Sequence, residues 1–311
     1  MYAKLDYLNP SGSLKDRIYY YMIARAIKKG NLKLGMKIVE VSTGNAGISC
    51  AFIGTLLGYE VTIVMPTGMS EERKKIIRAL GGEIIETPGG ESDVDLSYKK
   101  AKQLVEENPG KYWLPDQFSN PDAVLAHYET TAVEIWKQTE GKVDALVLAQ
   151  GTGSTLTGVG RYLKERNPSI KIYAVEPREA SLLSRRRWGS HRIEGIGDGF
   201  IPRNLDLSIL NGVVTVSSEE AIEMAKELIK KEKLLAGISS GANIAAVIKV
   251  AKKHPELKHI ITMLNDTATR YFTTLLFGVE KKLEIPEREH PLDEFTKSQL
   301  DKYQPKWEII D

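Results

Sequence analysis

The chain has 311 residues, 42% hydrophobic and 27% charged, which suits one large α/β unit or two smaller ones and sets aside collagenous and disordered classes. A net charge of +2 offers no electrostatic basis for a nucleic-acid or acidic-membrane partner. The single cysteine, Cys50, excludes an internal disulfide framework and suits a reducing cytoplasm.

The chain opens on the turn-forming stretch Asn9-Pro10-Ser11-Gly12-Ser13-Leu14-Lys15-Asp16-Arg17, which runs into a helical pattern over Ile18–Lys29 closed by Gly30. Ser13 is placed to cap that helix with Asp16 three residues on, which sets Lys15 in its first turn. Unpaired N–H groups make that turn positive, so a lysine there is expected to have a lowered pKa and a nucleophilic amine. Strand and helix patterns then alternate. Lys37–Val41 is a strand, Gly47–Leu57 a helix, Val61–Met65 a strand, Ser70–Leu80 a helix, Glu83–Thr87 a strand and Asp93–Glu107 a helix. Pro121–Thr139 is helical, Val143–Ala149 a buried strand, Leu156–Arg166 a helix and Ile170–Glu176 a strand. The segment Pro177–Leu210 has no clear period. Val213–Val216, Glu219–Lys231, Ala242–Lys253 and His259–Leu264 resume the alternation, and the tail Lys281–Asp311 is polar with no evident core. No run approaches the ~18 apolar residues of a membrane span, and no signal-peptide pattern follows Met1. Such alternation implies parallel strands with helical crossovers, a doubly wound α/β architecture with ligands at the carboxyl ends of the strands. The boundary between an N-terminal unit (1–140) and a C-terminal unit (141–311) is expected near Gly141.

The strand-to-helix turns therefore hold the candidate chemistry. Ser42-Thr43-Gly44-Asn45-Ala46-Gly47 presents hydroxyls, an amide and helix-end N–H groups suited to a carboxylate, or else serves only as a cap. Gln150-Gly151-Thr152-Gly153-Ser154-Thr155 makes a phosphate cup. It lacks the Lys-Ser/Thr of a Walker loop, and Leu156 stands where a dinucleotide fingerprint has its third glycine, so one phosphate fits better than two, even with Glu176 near a ribose-binding position. Gly237-Ile238-Ser239-Ser240-Gly241, followed by Asp266 and His290, matches a hydrolase nucleophile elbow and leaves a serine hydrolase open as a rival. His127, His191, His254 and His259 have no metal-ligand spacing, and no metal site is expected. Arg185-Arg186-Arg187-Trp188 reads as a solvated loop. An activated lysine, a carboxylate nest and a single-phosphate cup together point to pyridoxal phosphate, an aldehyde with one phosphate that acts as an electron sink.

In this order, the motifs around Lys15, Ser42–Gly47, Asp116-Gln117-Phe118-Ser119-Asn120-Pro121, Gly151–Thr155, Gly195-Ile196-Gly197-Asp198-Gly199-Phe200-Ile201-Pro202 and Gly237–Ala242 resemble the cysteine synthase (O-acetylserine sulfhydrylase) and cystathionine β-synthase family of fold type II pyridoxal-phosphate enzymes. The resemblance implies that Lys15 holds the cofactor as a Schiff base, that Asn45 meets its ring oxygen, that Gly151, Thr152, Gly153, Ser154 and Thr155 bind its phosphate, and that Ser239 meets its pyridine nitrogen. It implies that Ser42, Thr43, Asn45 and Gln117 clamp the substrate carboxylate. The implied reaction is β-replacement through an aminoacrylate, with cysteine synthesis from O-acetylserine and sulfide leading. Cysteine desulfhydration or cystathionine- or lanthionine-type condensation follow, and a cofactor-less binding protein is a remoter case. A homodimer with a mobile N-terminal subdomain is implied as well. Three departures stand out. Strands that the family carries ahead of the lysine loop are missing; Ala46 replaces a threonine and Ser42-Thr43 inverts a Thr-Ser pair; and Asp198 stands where alanine or tyrosine is usual. Asp198 is expected to face the substrate's β-carbon and to orient or deprotonate an incoming nucleophile, water included.

Overall fold

Strand and helix alternate along most of the computed structural model, which describes residues 1–90, 93–279 and 290–311. In chain order they are β1 (Tyr2–Leu5), α1 (Lys15–Lys29), β2 (Lys37–Val41), α2 (Asn45–Leu56), β3 (Val61–Pro66), α3 (Glu71–Ala79), β4 (Glu83–Thr87), α4 (Val94–Glu107), β5 (Tyr112–Trp113), α5 (Pro121–Ala126) and α6 (Ala132–Gln138). There follow β6 (Ala145–Ala149), α7 (Ser154–Arg166), β7 (Lys171–Pro177), α8 (Leu182–Arg185), β8 (Gly212–Val216), α9 (Ser218–Glu227), α10 (Ile238–Lys253), β9 (Ile260–Leu264), α11 (Glu294–Tyr303) and β10 (Glu308–Ile310). The strands form two parallel sheets, a larger one in the order β1-β9-β6-β7-β8-β10 and a smaller one in the order β4-β3-β2-β5.

Side-chain alternation explains why helices cover both faces of the larger sheet. Leu146, Leu148, Ile172, Ala174 and Val213 join the core formed with α7. Their neighbours Ala145, Val147, Tyr173, Val175 and Val214 join the core formed with α9 and α10. The smaller sheet splits likewise, Ile38, Val61, Ile63 and Met65 to one side and Val39, Val41 and Val64 to the other. The cleft lies between the sheets, at the carboxyl ends of β2 and β6.

Several expectations need correction. Residues 2–5 are a strand, in register with β9 from Tyr2 opposite Ile261 to Leu5 opposite Leu264, so the chain ahead of the lysine loop does supply the larger sheet with an edge. The tail does not lack a core: among its described residues Leu300 and Trp307 are buried, and β10 pairs with β8. Residues 281–289 of that tail lie outside the described residues. The helix expected over Pro121–Thr139 is α5 and α6 joined by a π-helical turn, His127–Thr131. The Ser13–Asp16 capping box does not form. Leu14 occupies the cap position without a side-chain bond, and Asp16 instead accepts hydrogen bonds from Ser11 N (2.7 Å) and Ser11 Oγ (2.5 Å).

Candidate active site

An open cleft is lined by the turns singled out above. Lys15, the first residue of α1, lies on its wall. The preceding loop is held from both sides: Leu14 N donates to Asn265 O (2.9 Å), and Gly12 N donates to Asn9 O (2.8 Å). The Lys15 amine has a lowered pKa, as the sequence suggests, but the leading cause is burial; Asp198, Glu40 and Asp266 pull it back up.

The turn between β6 and α7 lines the same cleft. Gly153 has φ +77° at the N-terminus of α7, and a Cβ there would fall 2.6–2.9 Å from Leu205. A Cβ on Gly151 would lie 2.5 Å from the Gly195 carbonyl. The cup therefore exists only with glycine at both positions. Gly151, Thr152, Gly153 and Thr155 line the cleft. Ser154 is not among its walls; its hydroxyl meets Thr152 Oγ1 at 2.9 Å.

Ser42, Thr43, Asn45 and Gln117 line the same cleft. Ser42 Oγ accepts from Gly44 N (2.9 Å) and Gly47 N (2.7 Å), which shapes the turn and leaves its own proton to donate. Gln117 donates through Nε2 to Val41 O (2.7 Å). Asn45 donates to Asp266 Oδ2 (2.7 Å) and accepts from Arg270 Nη1. Ser239, in the first turn of α10, accepts from Asn265 Nδ2 at 3.2 Å. Asp198 is buried and lines the same cleft, and burial pushes its pKa up to about 6 against the opposing pull of Lys15.

The hydrolase constellation does not assemble. Asp266 accepts from Asn45 and from Tyr271 Oη (2.7 Å), while His290 stacks on Trp188 and lies 3.6 Å from Asp93. Among the described residues no histidine lines the cleft. Glu176 is likewise structural, accepting from Leu183 N, Ser184 N and Ser184 Oγ. Among the described residues no group of three His, Cys, Asp or Glu side chains could hold a metal ion.

A family model described as pyridoxal-phosphate dependent enzyme matches residues 1–266. The chain belongs to the pyridoxal-phosphate dependent enzymes. It is 47% identical to cysteine synthase 3 of Caenorhabditis elegans over 279 residues, 89% of this chain and 82% of that one. A crystal structure of a cysteine synthase from Entamoeba histolytica superposes with a TM-score of 0.84 at 37% identity, covering 98% of this chain and 87% of that one. One of a hydrogen sulfide-producing enzyme from Fusobacterium nucleatum gives 0.83 at 38% identity, covering 86% and 90%.

The walls of the cleft fit the family's cofactor. The glycine-only cup shares the cleft with a buried amine whose pKa is lowered, and Ser239 and Asn265 line it too. Three further residues of this pyridoxal-phosphate enzyme escaped sequence reasoning. His127, buried and kept neutral by burial, meets Thr155 Oγ1 through Nε2 (3.0 Å) and Thr131 Oγ1 through Nδ1 (2.9 Å), so it orients the cup from behind. Its i, i+4 spacing to Thr131 is the only trace in the sequence. Asn265 links the lysine loop to Ser239, and Glu194 lines the cleft while paired with the buried Arg73.

Proposed function

We propose that this enzyme makes cysteine by β-replacement, exchanging the acetyl-bearing β-oxygen of O-acetylserine for sulfide. The observation that carries the reading is that Lys15 and the Gly151, Thr152, Gly153 and Thr155 cup line one cleft together with Ser42, Thr43, Asn45 and Gln117. Pyridoxal phosphate, when bound, supplies an electron sink for charge developing on the substrate's α-carbon. Lys15 is the group that would bond to the cofactor aldehyde and then, displaced by the substrate amine, take the α-proton on Nζ; the burial that lowers its pKa favours the neutral base. Gly151, Thr152, Gly153 and Thr155 would hold the phosphate, with Ser154 steadying the turn through Thr152. Ser239 would donate its hydroxyl proton to the ring nitrogen while accepting from Asn265. Asn45 would meet the ring oxygen, exchanging one of its present partners to do so. Ser42, Thr43, Asn45 and Gln117 would clamp the substrate carboxylate, setting the α-proton toward Lys15. The likeness to named cysteine synthases supports the same choice of substrates.

A second reading rests on Asp198. A carboxyl on the cleft wall with a pKa near 6 can take a proton from water as well as from a thiol, which favours breakdown of cysteine to sulfide and serine. The likeness to a hydrogen sulfide-producing enzyme supports it. We further infer a homodimer in the cytoplasm, divided near residue 140 into a lysine- and clamp-bearing unit with a mobile subdomain and a phosphate-loop unit, with β1 reaching across the division. Among the described residues no helix is long and apolar enough to cross a membrane.

Purified protein supplied with pyridoxal phosphate should absorb in the visible, bleach with borohydride, and carry the reduced cofactor on the peptide containing Lys15. Lys15→Ala should abolish both the label and cysteine formation. A colourless wild-type protein overturns the reading. If Asp198→Ala leaves the sulfide-to-cysteine product ratio unchanged, the second reading falls.

A further inference from the structure

Glu40 is a carboxyl in the middle of a core. It lies on β2 two residues before Ser42 and is fully buried. The alternation that sends Val39 and Val41 to one face of the smaller sheet sends Ile38 and Glu40 to the other, toward α1 and α2. Its Oε1 accepts from Val41 N (2.8 Å), and the backbone N–H of Gln117 lies on the same carboxyl. Tyr19 Oη lies against this carboxyl as its nearest hydrogen-bonding side chain but completes no bond of normal geometry with Oε2, and among the described residues neither these two atoms nor Gln117 Oε1 has another partner. Buried polar groups are nearly always paired, so this cluster is either water-filled or held for a function. Gln117 and Ser42, both assigned above to the carboxylate clamp, are the residues it joins: Gln117 Nε2 donates to Val41 O (2.7 Å), directly before Ser42.

We propose that Glu40 is a positioning residue of the reaction: as an uncharged acid it ties the end of β2 to the Gln117 loop, and once ionised it weakens the clamp's hold on the substrate carboxylate. The proposal rests on the clamp as assigned above. Burial raises the Glu40 pKa to about 8, so the neutral form prevails at pH 7. The groups facing it are Lys15 and Tyr19 from α1, Cys50 from α2, Tyr98 from α4 and Asp116 from the loop before Gln117. Lys15 is the cation among them. Ionisation of Glu40 sets a negative charge behind the turn that must accept a carboxylate, and it also draws a proton onto Lys15. Both effects act against substrate binding and proton removal.

The test uses the cofactor-loaded enzyme and propionate, whose charge is constant above pH ~6 because simple carboxylates titrate well below it. Binding is read from the change in the visible spectrum of the loaded protein, between about pH 6.5 and 9.5, a range that brackets the Glu40 transition. In the wild type, affinity should fall about tenfold across the transition, and in Glu40→Gln, which keeps the shape without the charge, it should stay level. A level wild-type profile, or an unchanged fall in Glu40→Gln, overturns the proposal; the wild-type arm decides alone if the variant does not fold. If propionate binds at pH 7 as well to Gln117→Ala as to wild type, the clamp assignment fails, and the proposal with it.

Discussion

The carboxyl of Asp198 carries a measurable cost of burial. Its pKa is raised from 3.8 to about 6, so the folded state binds a proton that the unfolded state has released. Stability is therefore highest below pH ~4 on this account and declines as pH rises to ~6, by roughly 3 kcal/mol for a shift of two units. Asp198→Asn should remove that decline, leaving the variant more stable than wild type near pH 7 by on the order of 1–3 kcal/mol. Urea unfolding at pH 4 and pH 7 checks it, and equal pH dependence in both proteins would contradict it. Lys15 shows why such a residue is legible in a sequence while its environment is not. The loop and the helix start are local signals, yet its altered acidity comes first from burial, against the pull of carboxylates as distant in the chain as Asp198 and Asp266.

The turn between β6 and α7 joins local signal and tertiary fit in one element. Gly153→Ala would put a Cβ at φ +77° and within 3 Å of the Leu205 backbone. We expect it to destabilise the fold by about 1–3 kcal/mol and to weaken cofactor affinity at least about tenfold, as measured by thermal unfolding and by titration with pyridoxal phosphate. Contiguous motifs such as this turn and Ser42–Asn45 could be read from the sequence because each lies between a buried strand and a helix. The outer strands could not. Tyr2–Leu5 and Glu308–Ile310 are short, and each is made a strand by a partner far along the chain, β9 or β8. His127 was overlooked for a similar reason: its partner Thr155 comes from another element. The polar reading of the tail likewise missed Trp307, 8% exposed, which packs into the core around α7. Trp307→Ala should cost about 3–5 kcal/mol, measurable by urea unfolding, whereas a solvated tail would lose almost nothing.

On the scale of the whole molecule, the cleft is shared between the two sheets, so a ligand that fills it ties them together. Pyridoxal phosphate at 100 times its dissociation constant should stabilise the protein by about 2.7 kcal/mol through mass action, raising the melting temperature by several degrees. At the same cofactor concentration Lys15→Ala should show a smaller gain, and an equal gain in both proteins would mean that Lys15 adds nothing to cofactor binding. The placement of β10 has a consequence for biosynthesis. Until residues 308–310 leave the ribosome, the nascent chain presents the unpaired rim of β8, a template for strands of neighbouring polypeptides. Chains that stop before residue 308 would leave that rim open for good, and such products should gather in inclusion bodies even though every residue lining the cleft had already been translated.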